Sequence, residues 1–210
     1  MNGYFNNLNF FPSNKVIKDM RKYVDANKIP VINDEALIFM FELIDLIKPK
    51  RFLEIGTAIG FCVINLASYD SEIIIDTIEK NELMFSEAVK NVKKAKLNDR
   101  INVYLGDALE FDLNNLASEY DIIFIDASKA QYIKFFEKYE KLLSPDGLIL
   151  SDNLLFHGFV NNTKEIESKN LLHLVEKIED YNSFLARNKN YQTKFFTIGD
   201  GVSVSRRIKK

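Results

Sequence analysis

Asp126, Lys129, Asp152 and Asn153 are the side chains whose types and spacing could do chemistry, and all four sit where a short apolar run stops. The first pair lies at the end of YDIIFIDASK (120–129) and the second at the end of GLILSDN (147–153). A carboxylate closing a buried run is costly unless something pairs with it. Neighbouring parallel strands would bring the two ends together, so that two carboxylates and an amide oxygen converge. Hard oxygen donors with no His or Cys among them suit Mg²⁺, with Ca²⁺ or Mn²⁺ as substitutes. The structural alternative is that Asp and Asn here are only helix caps and turn formers. Lys129 has two readings of its own. It is a general base, if an adjacent cation or burial lowers its free pKa of about 10.4, or it stays protonated and stabilises an oxyanion.

A second constellation lies upstream. The run RFLEIG (51–56) continues as Thr57-Ala58-Ile59-Gly60 into FCVINLASY, a helical pattern. Gly56 lets the backbone turn sharply, and Gly60 lets a ligand or the helix start come close. The spacing is not G-x-G-x-x-G, so the pyrophosphate seat of nicotinamide enzymes is missing. By itself Gly-x-x-x-Gly also fits a plain structural turn. The next run ends in Glu79, where a carboxylate can accept both hydroxyls of a ribose or cap a helix. The third ends Gly106-Asp107-Ala108. Three successive runs closing on Gly, Glu and Asp outline an adenosine-type pocket without a phosphate seat, which points to S-adenosylmethionine. Cys62, on the helix after the turn, reads as a small packing residue touching that cofactor.

These positions require a scaffold that lines up strand ends. IIIDTIE (73–79), INVYLGDA (101–108) and DIIFIDA (121–127) join RFLEIG and GLILSDN as short β-rich runs. Between them the spacing is helical, as in Phe85, Ala88, Val89 and Val92 or Ile133, Phe136, Tyr139 and Leu143. Strand–helix alternation with near-continuous apolar strands predicts a parallel sheet covered on both faces. Right-handed crossovers make it doubly wound. A long helical stretch (about 164–187) then leads to TKFFTIG and VSVSRR across a tight Gly199-Asp200-Gly201 turn, which predicts an antiparallel hairpin. Two helices are expected ahead of the first strand, around 13–27 and 33–47. The fold class is therefore α/β: a Rossmann-like, doubly wound, mostly parallel seven-stranded sheet closed by a C-terminal antiparallel hairpin, with extra N-terminal helices.

A chain of 210 residues, 47% hydrophobic and 28% charged, fits one globular domain over 1–210. No apolar run is long enough to span a bilayer, and MNGYFNNLNFFPSNK lacks the basic-then-apolar layout of a secretory signal. A single cysteine excludes an internal disulfide framework and fits a reducing cytoplasm, and with two histidines it argues against structural zinc. The net charge of −2 does not advertise a polyanion partner. Basic residues nonetheless cluster at Lys15, Lys18, Arg21 and Lys22, at Lys90, Lys93, Lys94, Lys96 and Arg100, and at Arg206, Arg207, Lys209 and Lys210. Each cluster reads as a solvated helix face or a frayed tail, and together they leave a nucleic-acid surface open.

FLEIGTAIGF, TIEKNE, GDA, YDIIFIDASKAQY and LLSPDGLILSDNLLFHG together resemble the metal-dependent class I O-methyltransferases of the catechol and caffeoyl-coenzyme A type. The closer resemblance is to the bacterial tRNA 5-hydroxyuridine methyltransferase branch, and it extends into YQTKFFTIGDGVSVSRR. The nucleotide motifs are shared by many methyltransferases; the pair IDASK…SDN is far more specific. The resemblance implies a metal triad at Asp126, Asp152 and Asn153 and a catalytic lysine at Lys129. Around S-adenosylmethionine it implies Val31, Ile32, Gly56, Ala58, Cys62, Glu79, Asp107, Ala108 and Asp126. His157 reads as a surface or capping residue.

Methyl transfer from a sulfonium needs little help with the leaving group; the protein must ionise and orient the accepting oxygen. A cation-bound hydroxyl is more acidic, and two adjacent ring oxygens can chelate the ion. Catechol has such a pair, and so does 5-hydroxyuridine. The expected partner is the tRNA anticodon, where 5-hydroxyuridine at the wobble position becomes 5-methoxyuridine. The alternative acceptor is a small catechol-like or caffeoyl-CoA-like metabolite. A homodimer is expected from Phe5, Phe10, Phe11, Phe195 and Phe196, which exceed what the sheet needs, and no membrane partner is expected.

Overall fold

The computed structural model describes Tyr4 and residues 8–163 and 166–209. Asparagines start the first two helices. Asn14 Oδ1 accepts from Ile17 N ahead of α1 (Lys15–Asn27), and Asn33 Oδ1 accepts from Ala36 N ahead of α2 (Asp34–Ile47). Each side chain satisfies a donor that the first helical turn leaves free, so both helices begin one or two residues later than their hydrophobic pattern. Along α2 the buried residues Ala36, Leu37, Met40, Phe41 and Ile44 fall on one face, the arrangement expected of a helix laid on a core.

The first strands and helices alternate as β1 (Arg51–Ile55), α3 (Phe61–Tyr69), β2 (Ile74–Glu79), α4 (Glu82–Ala95) and β3 (Ile101–Leu105). β1 pairs with β2 and β2 with β3, both parallel, with Ile55 opposite Ile78 and Glu79 opposite Leu105. Near-unbroken burial along β1 and β2 is what coverage of both faces demands. Asn81 caps α4 through Leu83 N and Met84 N.

The remaining elements are β4 (Tyr120–Ile125), α5 (Tyr132–Tyr139), β5 (Leu143–Ser151), α6 (Lys169–Arg187), β6 (Tyr191–Phe196) and β7 (Val202–Arg207). β4 and β5 are parallel, and β7 runs antiparallel to both β5 and β6. Leu143 departs from expectation. The helical spacing runs through it, yet α5 tightens into a 3₁₀ turn over Glu140–Leu142 and Leu143 opens β5. The long C-terminal helix starts at Lys169, set by the Ser168 cap, rather than near 164, which lies outside the described residues. Strand order is β3-β2-β1-β4-β5-β7-β6, so the expected mostly parallel seven-stranded sheet with its antiparallel hairpin is the observed one.

Packing divides the chain into two compact units, Met1–Phe111 and Asp112–Lys210. The first is aliphatic at its centre, with Leu37, Leu53, Ile55, Val63 and Ile64 fully enclosed. The second is built on aromatic rings: Phe136 meets Tyr181, Phe184 and Tyr191 edge-on at centroid distances of 6.5, 5.5 and 5.0 Å. Two basic residues expected on solvated surfaces are instead bound internally. Arg207 donates to Glu140 O and Leu143 O at 2.6 and 2.7 Å, and Arg100 donates to Ala67 O and Asp70 O at 2.7 and 2.9 Å. Among the described residues no helix is long and apolar enough to cross a membrane.

Candidate active site

In the first unit the glycine turn after β1 is left-handed at Gly56, Ala58 and Gly60, with φ of 102°, 47° and 81°. At Gly60 the conformation, not space, calls for glycine: an added Cβ would meet Ala88 at an ordinary 3.5 Å. Glu79 holds this turn. Its Oε2 accepts from Ala58 N and its Oε1 from Asn81 N, both at 2.8 Å, tying the loop after β1 to the loop after β2. Each oxygen keeps a lone pair, so the carboxylate can still receive ribose hydroxyls. Gly106 N donates to Glu79 O at 2.9 Å, which brings the third strand's end beside it. Ala108 is buried there, while exposed Asp107 spends Oδ1 on Leu109 N in a tight turn.

Beneath the turn lies a polar chain that the sequence reading passed over. Thr77 Oγ1 donates to Glu54 Oε2 at 2.6 Å, so Thr57, 2.6 Å from Thr77, donates to it in turn. The Cys62 thiol also bonds Glu54, a structural task beyond small packing. Burial pushes the Glu54 carboxyl up to about 7; the bonds from Thr77 and Cys62 oppose this, and the Glu79 charge adds to it. Val31 is half-buried and Ile32 is in the core just before α2. Arg21 bonds Asp34 Oδ1 at 2.7 Å and lies 5.0 Å from the Phe61 ring centre, which draws the start of α2 toward the start of α3.

In the second unit, β4 and β5 run side by side with Ile125 opposite Ser151, and Asp152 N donates to Ile125 O. Asp126 and Asp152 therefore follow paired residues at the same end of the two strands. Asp152 is only 1% exposed. Its Oδ1 accepts from Asn153 N at 2.7 Å, whereas Oδ2 is buried without a hydrogen-bond partner. Asn153 takes a left-handed turn (φ 60°), and its Oδ1 accepts from Lys129 Nζ at 2.7 Å. Burial raises the Asp152 carboxyl to about 6. The Asn153 N–H and the Lys129 charge pull it down, and the Asp200 charge pushes it further up. Tyr132 donates to Asp152 O at 3.1 Å and stays neutral, its phenol driven up by burial and by the charges of Asp126 and Asp152.

Asp152, Asn153 and Lys129 are thus brought together, with half-exposed Asp126 at the neighbouring strand end. An unpaired buried carboxylate oxygen beside an amide oxygen that already attracts an ammonium is a donor set suited to a cation. Among the described residues no three His, Cys, Asp or Glu side chains gather closely enough to hold a metal. His157 is exposed, as expected, but tethered: its N–H donates to Asp200 Oδ1 at 2.6 Å. Glu54 and Tyr132 carry no reading in the sequence, and Asp200 carries only that of a hairpin turn. A lone acid inside FLEIG was the only available signal for Glu54, and Asp200 looked like an ordinary turn former.

Known proteins share this architecture. An O-methyltransferase family model matches residues 12–208. The tapetum-specific methyltransferase 1 of Arabidopsis thaliana is 29% identical over 92% of this chain and 87% of its own length. A caffeoyl-CoA O-methyltransferase of Populus kitakamiensis is 28% identical over 90% and 82%. Among solved structures, a Staphylococcus aureus protein provisionally named a caffeoyl-CoA O-methyltransferase is 38% identical, with a TM-score of 0.87 over 92% of this chain and 93% of that one. The O-methyltransferase of Bacillus cereus, solved in complex with SAH, is 26% identical with a TM-score of 0.79 over 94% and 92%. The chain belongs to the O-methyltransferase family.

Proposed function

We propose that this chain is an S-adenosylmethionine-dependent O-methyltransferase whose acceptor presents two adjacent oxygens on one ring. The observation that carries this is the buried, unpartnered Asp152 Oδ2 beside the Lys129–Asn153 contact, at the end of a strand in a member of the O-methyltransferase family. The SAH complex of the Bacillus cereus relative supports the donor. Gly56, Ala58, Cys62, Glu79, Asp107, Ala108, Val31, Ile32 and Asp126 are the proposed cofactor contacts. Asp126, Asp152 and Asn153 would hold Mg²⁺, with Ca²⁺ or Mn²⁺ as substitutes, which when bound supplies a Lewis acid that makes the acceptor hydroxyl more acidic. Lys129 either takes that proton or stabilises the oxyanion, from a position fixed by Asn153. The methyl group passes from sulfonium to oxygen, leaving a neutral thioether. Residues 1–210 act as one catalytic domain, an assignment supported by the single family match across both units.

For the acceptor we put 5-hydroxyuridine at the tRNA wobble position first, giving 5-methoxyuridine. Its supports are the resemblance of YQTKFFTIGDGVSVSRR and the exposed Lys194 on β6, which suits phosphate. A second reading, a small catechol-like or caffeoyl-CoA-like metabolite, is favoured by the internal binding of Arg100 and Arg207 and by the names of the curated relatives. Nucleoside mass spectrometry of tRNA from cells lacking the gene separates the two. Loss of 5-methoxyuridine with accumulation of 5-hydroxyuridine supports the first; unchanged nucleosides with robust catechol turnover support the second. The proposal includes a cytoplasmic homodimer. Exposed Phe10, Phe195 and Phe196 support pairing, Phe5 lies outside the described residues, and a monomer mass in light scattering would count against it.

A further inference from the structure

The segment that follows the oxygen cluster is strained. Asn153, Phe156 and His157 all have positive φ, at 60°, 45° and 57°, and none is glycine. Such conformations persist only where the surroundings fix them. Here the β6–β7 hairpin does so. Gly201 O accepts from Leu154 N at 3.0 Å, Asp200 O from Leu155 N at 2.8 Å and Asp200 Oδ1 from His157 N at 2.6 Å. The backbones lie against each other, since a Cβ at Gly201 would fall 2.9 Å from Leu155 N. From the other side Asn182 Nδ2 donates to Leu154 O at 3.1 Å. Asp200 thus supplies the side-chain anchor that reaches furthest along this segment. Its Oδ2, buried without a hydrogen-bond partner, lies 3.4 Å from His157 Nδ1.

We propose that Asp200 is a positioning residue for the acceptor side of the site: from the hairpin tip it holds residues 153–157 in the path, left-handed at Asn153, Phe156 and His157, that sets Asp152 and Asn153 in place. This rests on the methyl-transfer reading for its kinetic consequence, but not for its structural one. The role needs an acceptor oxygen at Oδ1, not a charge, so Asp200→Asn keeps it and Asp200→Ala removes it. The glycine turn after β1 has its own supports, so cofactor affinity is independent of Asp200.

Amide hydrogen exchange and steady-state kinetics on the full chain test this, with catechol and 5-hydroxyuridine tRNA as the acceptor probes. In the wild type the His157 amide is protected. In Asp200→Ala that protection falls about 10- to 100-fold, acceptor KM rises by about 10-fold or more and S-adenosylmethionine affinity stays within about 2-fold. Asp200→Asn restores protection and KM. An unprotected His157 amide in the wild type, or Asp200→Ala with unchanged protection and KM, overturns the proposal. So does an equal loss of cofactor and acceptor affinity. If Asp200→Ala does not fold, Asp200→Asn decides: a fully exposed His157 amide in that variant also overturns it. If neither acceptor turns over, the functional reading has failed, while exchange still decides the role of Asp200.

Discussion

The glycine turn of the first unit and the oxygen cluster of the second are both polar sites at strand ends, yet they treat their polar atoms oppositely. Around the turn, Glu79 spends both oxygens on backbone N–H groups, and Thr57, Thr77 and Cys62 form a closed chain onto Glu54. Around the cluster, Asp152 Oδ2 and Asp200 Oδ2 are buried without hydrogen bonds, along with Gln131 Oε1. In the first unit only Asn65 Oδ1 is left so, among the described residues. A seat satisfied by its own chain is preformed and receives a ligand by shape and spare lone pairs. A site with unpaired buried oxygens stays under electrostatic tension until a cation or acceptor enters it. In the proposed function the contrast separates a binding half from a chemical half.

Four substitutions break or sharpen that contrast. The largest effect is expected at the cluster: Asp152→Ala should lower kcat about 10²- to 10³-fold while S-adenosylmethionine affinity, read by calorimetry, is unchanged. Equal losses in both would erase the division. Glu79→Ala should do the reverse, weakening the cofactor about 10- to 100-fold, the range for lost bonds to a charged group, with acceptor KM unaffected. Third comes Glu54. Its carboxyl titrates at about 7 in the fold against the ordinary 4.5, so its contribution to stability is complete below 4.5 and is lost as pH rises through about 7. The loss at pH 8 is on the order of 3 kcal/mol, and thermal unfolding of Glu54→Gln should show a flatter dependence between pH 5 and pH 8 than the wild type. An identical slope would mean that Glu54 is not the buried acid described. The smallest effect is Gly60→Ala, whose φ of 81° costs an alanine about 1 kcal/mol, or about 3 °C in Tm.

Strand ends were legible in the sequence because buried parallel strands are written as unbroken apolar runs, so an acid closing such a run stands out. Asp126, Asp152 and Glu79 were found that way. Leu143 was misplaced because amphipathic spacing continues past Tyr139, while the tightening into a 3₁₀ turn leaves no mark on that spacing. Within the basic clusters Arg100 and Arg207 depart from the solvated reading for a different reason. Whether Arg207 faces solvent or main-chain carbonyls 60-odd positions away depends on packing, which a charge count does not contain. Asp200 was invisible because Gly-Asp-Gly serves a plain hairpin equally well; only the bond to His157 N gives it a further task.

The central claim is tested most directly by following a labelled methyl group from S-adenosylmethionine to catechol and to tRNA carrying 5-hydroxyuridine, with and without chelator. The proposed function predicts label on an acceptor oxygen, lost in excess chelator and restored by Mg²⁺, with transfer by Asp152→Ala about 10²- to 10³-fold slower although it still binds the donor. Transfer undiminished in chelator, or no transfer to either acceptor by a chain that binds S-adenosylmethionine, would contradict it.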